Sequence, residues 1–469
     1  MNGHSHHQNG SSQETRSHLR AVPEDELLDA LVVGFGPASL AIAVALHDAL
    51  DTQETASQLR TQHPKIEFLE RQPEFAWHAG MQIPGAKMQI SFVKDLATLR
   101  NPRSEFTFIN YLHRNNRLVQ FTNLGTFLPR RIEYEDYMRW CAGWFEEVVS
   151  YGEEVLDIEQ NKGSTDKVQS FTVTYRNIHS GKTSTRRAKN VVIAAGGQPN
   201  IPAPLPQNHP RVLHSSQYRT ASSKIFPDPT KSLRIAVIGG GQSAAEIFND
   251  IPSQFPNSKA FLILKSAALR PSDDSPFVNE IFDPDRVDDI FSQAPDVRAS
   301  ALALDKGTNY GVVRLELLEH IYDEMYTQRL TYGGDESRYP RRILPHRNVT
   351  GVEDRGGGDK GVRLVIKNSS SEYKSRTAAA AGEEEEETLD VDLVMIASGY
   401  RRDIHEMMLK NVRHLMVGGD EEGNKWTVGR DYRVLFQDGV VAEDAGVYLQ
   451  GCNEATHGVS LFLLMIERG

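Results

Sequence analysis

The residues best placed to do chemistry in this chain lie in two glycine-rich turns. The first is Gly34-Phe35-Gly36-Pro37-Ala38-Ser39, and the second is Gly239-Gly240-Gly241-Gln242-Ser243-Ala244. Each follows a short apolar run and opens a stretch rich in small residues, the pattern of a strand, a tight turn and a helix start. Gly34 permits a sharp exit from the strand, and Gly36 lets the backbone come close to a pyrophosphate. The unpaired N–H groups and positive dipole end of the following helix then face the phosphates. Ser39, in place of a third glycine, is small enough for helix and strand to pack closely. Gly240, Gly241, Gln242 and Ser243 hold the corresponding places in the second turn.

The residues that end the next strands differ in charge. Glu70 closes IEFLE at 66–70, where a carboxylate accepts hydrogen bonds from a ribose diol. Lys265 stands at the equivalent place after AFLIL, with Arg270 nearby, and a cation there suits the additional 2′-phosphate of NADP. Unlike charges at the two ribose positions imply two different dinucleotides. The usual combination is FAD in the first fold and NADPH in the second, with hydride passing from nicotinamide to flavin. The chain has two cysteines, Cys141 and Cys452, far apart in sequence. That leaves no CxxC redox pair, no cysteine zinc site and no disulfide framework, and it points to a reducing compartment. A disulfide reductase is therefore excluded, and the electrons must go to oxygen, a quinone or another acceptor.

The elements that must position these residues can be read from apolar runs. LDALVV at 28–33 predicts a buried strand, LAIAVALHDAL a helix, and IEFLE the second strand of a βαβ unit. IAVIG at 235–239 and AFLIL at 260–264 repeat the arrangement. The expected fold is α/β, with two Rossmann-like dinucleotide-binding domains and a small substrate-binding region between them. The expected boundaries are a disordered polar tail at 1–24, a first flavin-domain segment at 25–230 and a nicotinamide domain at 231–388. Substrate-binding helices are expected at about 271–345. Residues 369–387, SSSEYKSRTAAAAGEEEEE, read as a low-complexity surface loop between strands at 362–367 and 389–397. The uncharged run 30–46 is too short for a membrane span and contains turn residues. With 52 Lys+Arg against 63 Asp+Glu, the 469 residues carry a net charge of −11, which disfavours a nucleic-acid partner. The polar start has no apolar signal segment, so a cytoplasmic location is expected.

Longer blocks are more specific. The stretches GFGPASLAIAVALHDAL, FAWHAGMQIPGAKMQISFVKDLATLRNPRSEFTFINYL, FLPRRIEYEDYMRWCA, GGGQSAAEIF, LRPSDDSPFVNEIF, KGTNYGVVRLELLEHIY and GCNEATHG resemble the fungal L-ornithine N(5)-monooxygenases over nearly the whole chain. LVMIASGY at 393–400 also resembles the ATGY-type motif of N-hydroxylating monooxygenases. The resemblance implies FAD and NADPH as cofactors and L-ornithine and O2 as substrates. It further implies a homotetramer and a product, N(5)-hydroxyornithine, destined for hydroxamate siderophores. In this scheme dioxygen adds to the reduced flavin, and the neutral substrate amine attacks the distal oxygen, so neither a protein nucleophile nor a metal is required.

Carried over by position, the flavin contacts implied are Glu70 to His78, with Trp77 prominent, then Gln89, Val155, Leu463 and Leu464. The implied NADP contacts are Gly240 to Ser243, Lys265, Asn309, Tyr310 and Gly311. Those for ornithine are Lys94, the run Asn279, Glu280, Ile281 and Phe282, and Asn309. A lysine clamps the amino-acid carboxylate, and amides serve both of its ends; the alternative role for Lys94 is a structural pair with Asp95. After CNEATHG the family runs on as LSDSLLS and a helix, whereas this chain reads VSLFLLM and stops, implying a truncated last segment at 389–469. The same architecture with lysine or another diamine as substrate, or an inactive dinucleotide-binding homologue, are the rival readings.

Overall fold

A computed structural model describes residues 17–51, 63–163, 166–356, 360–368, 385–419 and 425–458. Two mainly parallel sheets dominate. In the first, strands Val149–Tyr151, Ile66–Glu70, Leu28–Val33 and Thr183–Ile193 lie side by side, with Gly446–Leu449 beside the last. Helix Pro37–Asp51 crosses between its first two strands in sequence. Thr183–Ile193 serves two partners on one edge. Its first half pairs antiparallel with Val168–Asn177, and its second half pairs parallel with Gly446–Leu449. The first domain is thus completed by residues from the far end of the chain.

The second sheet has the order Arg341–Leu344, Lys259–Ile263, Arg234–Ile238, Leu393–Ile396, Val212–His214, all parallel. Its central strands are covered on both faces, so they read as unbroken apolar runs rather than alternating ones; Leu393, Val394, Met395 and Ile396 are each fully buried. Helix Gln242–Gln254 packs on this sheet through Ala244, Ala245, Ile247, Phe248 and Ile251. Helices Pro276–Asn279, Val287–Ser292, Pro295–Asn309 and Leu315–Tyr332 form the expected helical region. The fold is α/β with two Rossmann-like units, as the turns predict.

The pairings move the domain boundaries. Val212–His214 and Leu393–Ile396, expected in the flavin-domain segments 25–230 and 389–469, are strands of the second sheet. The expected strand 389–397 is in fact two. Glu385–Val391 joins an antiparallel three-stranded sheet with Arg347–Asp354 and Val362–Asn368, and the chain then turns at Asp392. Glu386 and Glu387 therefore lie in a strand and not in the low-complexity loop; Arg347 Nε donates to Glu387 Oε1 at 2.8 Å and offsets its charge. Residues 369–384 lie outside the described residues.

The tail also differs from expectation. Ser17 and Leu19 are buried, and Ser17 N–H donates to the Trp144 carbonyl at 3.1 Å. The Arg186 guanidinium donates to the carbonyls of Val22, Glu24 and Glu26, so one buried cation ties 22–26 to the first sheet. Residues 1–16 lie outside the described residues. Within the described residues no helix is long and apolar enough to cross a membrane. Cys141 and Cys452 are both free.

Candidate active site

The two turns are built alike. Gly34 has φ +92°, and a Cβ on it would sit 2.7 Å from the Ala194 carbonyl oxygen; Gly239 has φ +141° and would meet the Ala397 carbonyl oxygen at 2.5 Å. Each turn is pressed against the end of a neighbouring strand, so only glycine fits. A Cβ on Gly36 would meet nothing within 4 Å, leaving space for a phosphate to approach the backbone. Ser39 is fully buried, and its hydroxyl has no hydrogen-bond partner. An orphaned hydroxyl at a helix start is what a bound phosphate or its water would satisfy. Glu70 is buried, its carboxylate accepting from Phe35 N–H at 2.6 Å and Gln72 N–H at 2.7 Å. Those bonds fix it at the strand end and leave lone pairs for a diol. These residues fit a dinucleotide.

At the second turn, a Cβ on Gly241 would lie 3.4 Å from Gly311 Cα, which sets the Asn309-Tyr310-Gly311 stretch against the phosphate-facing backbone. Lys265 is exposed beyond the strand that ends at Ile263, free to reach a ribose phosphate at the rim.

Between the turns lies a cleft of about 330 Å3 lined by Trp77, His78, Gln89, Arg131, Gln242, Ser243 and Tyr400, among others. Residues expected at the flavin and residues expected at NADP therefore face one space. His78 is held at φ +48°, with its ring 4.9 Å from Trp77 and 5.9 Å from Tyr400. The residue is exposed by surface area and lines the cleft; packing around the ring, with the Arg131 and Arg402 charges, pushes its imidazole pKa below the usual value.

Lys94 does not pair with Asp95. The Asp95 carboxylate is taken up by the N–H groups of Ala97, Thr98 and Phe108 and the Thr98 hydroxyl. Burial pulls the Lys94 ammonium pKa down, and the Asp283 carboxylate beside it partly restores it. Asp283 directly follows Asn279–Phe282, so the end of this run lies close enough to Lys94 for its charge to be felt there. Asn279 and Glu280 are exposed, and Asn279 Nδ2 donates to the Asp274 carbonyl at 3.0 Å. The segment leading into this run is joined to the residue before Asn309: Asp273 N–H donates to the Thr308 carbonyl at 3.2 Å. Val155 is placed differently. It sits in strand Glu153–Lys162 with its side chain in the core beside Val33 and Leu69, so it has only main chain to offer a cofactor. Leu463 and Leu464 lie outside the described residues.

A family model described as L-lysine 6-monooxygenase/L-ornithine 5-monooxygenase matches residues 26–402. This chain belongs to that family. It is 58% identical to an L-ornithine N(5)-monooxygenase of Cochliobolus heterostrophus over 97% of its own length and 87% of the relative's. Among solved structures it resembles the ornithine hydroxylase of Pseudomonas aeruginosa, with TM-score 0.80 and 34% identity, covering 94% of this chain and 96% of that one. It also resembles the ornithine N-hydroxylase of Kutzneria sp. 744, solved with reduced FAD, NADP+ and L-ornithine, with TM-score 0.79 and 32% identity over the same shares.

Two cations that bear on His78, Arg131 in the cleft lining and Arg402 outside it, belong to neither glycine turn. Arg131 lies inside a family block but acts through residues more than a hundred positions away. Arg402 follows the ASGY strand end, and its charge bears on His78, Tyr310 and Cys452. The doubled arginine after Tyr400 was the available clue. The helical region is fastened to the end of the described chain by Arg430 to Asp288, Lys306 to Glu454 and Arg298 to the Ala455 carbonyl. Among the described residues no group of three His, Cys, Asp or Glu could hold a metal.

Proposed function

We propose that this chain hydroxylates the side-chain amine of L-ornithine with O2, using FAD and NADPH, to give N(5)-hydroxyornithine for siderophore biosynthesis. The observation that carries this reading is the single cleft shared by Trp77, His78 and Gln89 with Gln242, Ser243 and Tyr400. FAD held there supplies the oxygen-transferring chemistry, and NADPH supplies the hydride. On the flavin side, Gly34, Gly36 and Ser39 take the pyrophosphate, Glu70 the ribose, and Trp77, His78 and Gln89 border the ring. On the nicotinamide side, Gly240 to Ser243 take the pyrophosphate, Lys265 the 2′-phosphate, and Asn309 to Gly311 the nicotinamide half.

Lys94 pairs with the ornithine carboxylate, while Asn279 and Asn309 hold its α-amino end and orient the chain. The amine must be neutral to attack. The Arg131 cation that lines the cleft disfavours an ammonium beside it. The distance from Lys94 to the cleft sets substrate length, so lysine brings its amine to the wrong place. Exposed Leu304, Tyr322 and Leu330 on helices 295–309 and 315–332 support burial against other copies in a homotetramer. We assign the enzyme to the cytoplasm.

The test is NADPH-dependent hydroxylamine formation by the FAD-loaded protein, with ornithine and lysine supplied separately. Ornithine is expected to give product and lysine little. Equal turnover, or a preference for lysine, overturns the ornithine assignment.

A further inference from the structure

One buried carboxylate joins the two halves of the cleft. Glu246, on the second-turn helix, accepts from Arg131 Nη1 and Nη2 at 2.8 Å each and from Gln242 Nε2 at 2.9 Å. Arg131 belongs to the first domain, where its Nη1 also donates to the Met81 carbonyl at 2.9 Å. Gln242 lies in the second turn, and its Oε1 accepts from Arg314 N–H at 2.9 Å, just beyond Gly311. Glu246 is 6% exposed, whereas Arg131 and Gln242 both reach the cleft.

The family's expected contacts leave Glu246 without a role, yet it receives three donors from two domains. We infer that Glu246 is a positioning residue for the nicotinamide half-reaction. It holds the phosphate-facing Gln242 and the cleft cation Arg131 in one register, so that NADP binding and the alignment of nicotinamide with flavin depend on the same side chain. Glutamine cannot replace it: its one amide oxygen serves at most two of the three donors, the amide NH2 confronts the remaining one, and the charge is lost. Apposition of the two domains then loses a buried charged contact, and the Arg131 guanidinium loses its counter-charge.

The inference rests on the flavin–nicotinamide reading, but its readouts need no ornithine turnover, so failure of the ornithine assignment leaves it standing. The experiment compares Glu246→Gln with wild type as flavin-loaded protein. NADP+ affinity is measured by calorimetry, and flavin reduction at saturating NADPH by stopped flow. At least tenfold weaker NADP+ binding and at least tenfold slower reduction are expected, both measured without ornithine. Combining Glu246→Gln with Arg131→Gln should add nothing to the worse single variant. Asp48→Asn, which breaks a buried ion pair with Arg100 elsewhere in the first domain, should lower the melting temperature and leave NADP+ binding unchanged. If Glu246→Gln does not fold, Glu246→Asp keeps the charge at shorter reach and should show intermediate losses at an unchanged melting temperature. Wild-type NADP+ binding and reduction in whichever variant folds, or additive losses in the double variant, overturn the inference.

Discussion

The two glycine turns share a backbone plan and differ in how their side chains are held. At the first turn Ser39 and Glu70 are buried, and the Glu70 carboxylate is already fixed by two backbone N–H groups. At the second, Lys265 is exposed, while the turns themselves are buried alike, with Ala244 at 0% holding the place of Ser39. A buried, preorganised site binds with little ordering cost, and its ligand leaves slowly. An open site with a mobile cation favours exchange. We propose that the fixed Glu70 makes the first site a retaining one and the exposed Lys265 makes the second an exchanging one, as a flavin reduced by successive nicotinamides requires.

Valine at either glycine should break this comparison most severely. Gly34→Val combines a positive φ with a clash against the Ala194 carbonyl; the strain alone costs about 1–3 kcal/mol, and overpacking adds to it. The expected result is protein without bound flavin, read from the loss of its yellow flavin absorbance. Gly239→Val should abolish NADP+ binding in calorimetry while the flavin stays bound. Loss of flavin from both variants would mean that the turns are not separable sites.

Lysines in the two halves extend the contrast. Lys94 is half-buried, and a charge-assisted hydrogen bond in such surroundings is worth about 1.5–3 kcal/mol. Lys94→Ala should therefore raise the KM for ornithine roughly 10- to 100-fold and leave the rate of flavin reduction by NADPH close to wild type. An unchanged KM would remove Lys94 from the carboxylate clamp.

The local parts of this design were legible from the sequence. Leu28–Val33, Ile66–Glu70 and the glycine turns announce themselves because a strand buried on both faces and a tight turn need particular residues in succession. Pairings over long separations were not. Val212–His214 and Leu393–Ile396 are too short to show any period, and nothing local says which sheet will accept them. Glu386 and Glu387 run against strand propensity and lie in one only because Val362–Asn368 pairs with them and Arg347 supplies a counter-charge. Leu19 is one of few apolar residues in a polar tail, and the Arg186 that secures the residues after it lies far along the chain. Of the candidate site, the resemblance supplied the positions. The Arg131–Glu246 contact, with its partners 115 residues apart, needed the fold.

Lys265 gives a smaller effect because it is exposed and screened. Lys265→Ala should raise the KM for NADPH about tenfold and leave that for NADH unchanged, which steady-state assays with each nucleotide will show. Lys265→Arg, restoring a planar fork, should sharpen the preference for NADPH. Equal loss with both nucleotides would place Lys265 away from the 2′-phosphate.

The smallest effect concerns the far ends of the two turn helices. Helix Gln242–Gln254 is fastened there by the Tyr218 hydroxyl donating to Asp250 at 2.9 Å, whereas helix Pro37–Asp51 is fastened by a histidine. His47 is buried, stacks on His18 at 4.4 Å and accepts from the His18 N–H at 3.2 Å. Burial, with the His18 charge adding, lowers its pKa from 6.5 to about 4. A histidine that is harder to protonate folded than unfolded leaves the unfolded chain binding more protons below pH 6.5, so stability falls as pH drops from about 6.5 towards 4. At pH 6 this amounts to about 0.8 kcal/mol. His47→Phe removes the titrating group, so the drop in melting temperature between pH 7 and pH 6 should shrink relative to wild type, with flavin release reporting the first domain. An identical drop in both proteins would show that acid sensitivity does not reside at this helix end.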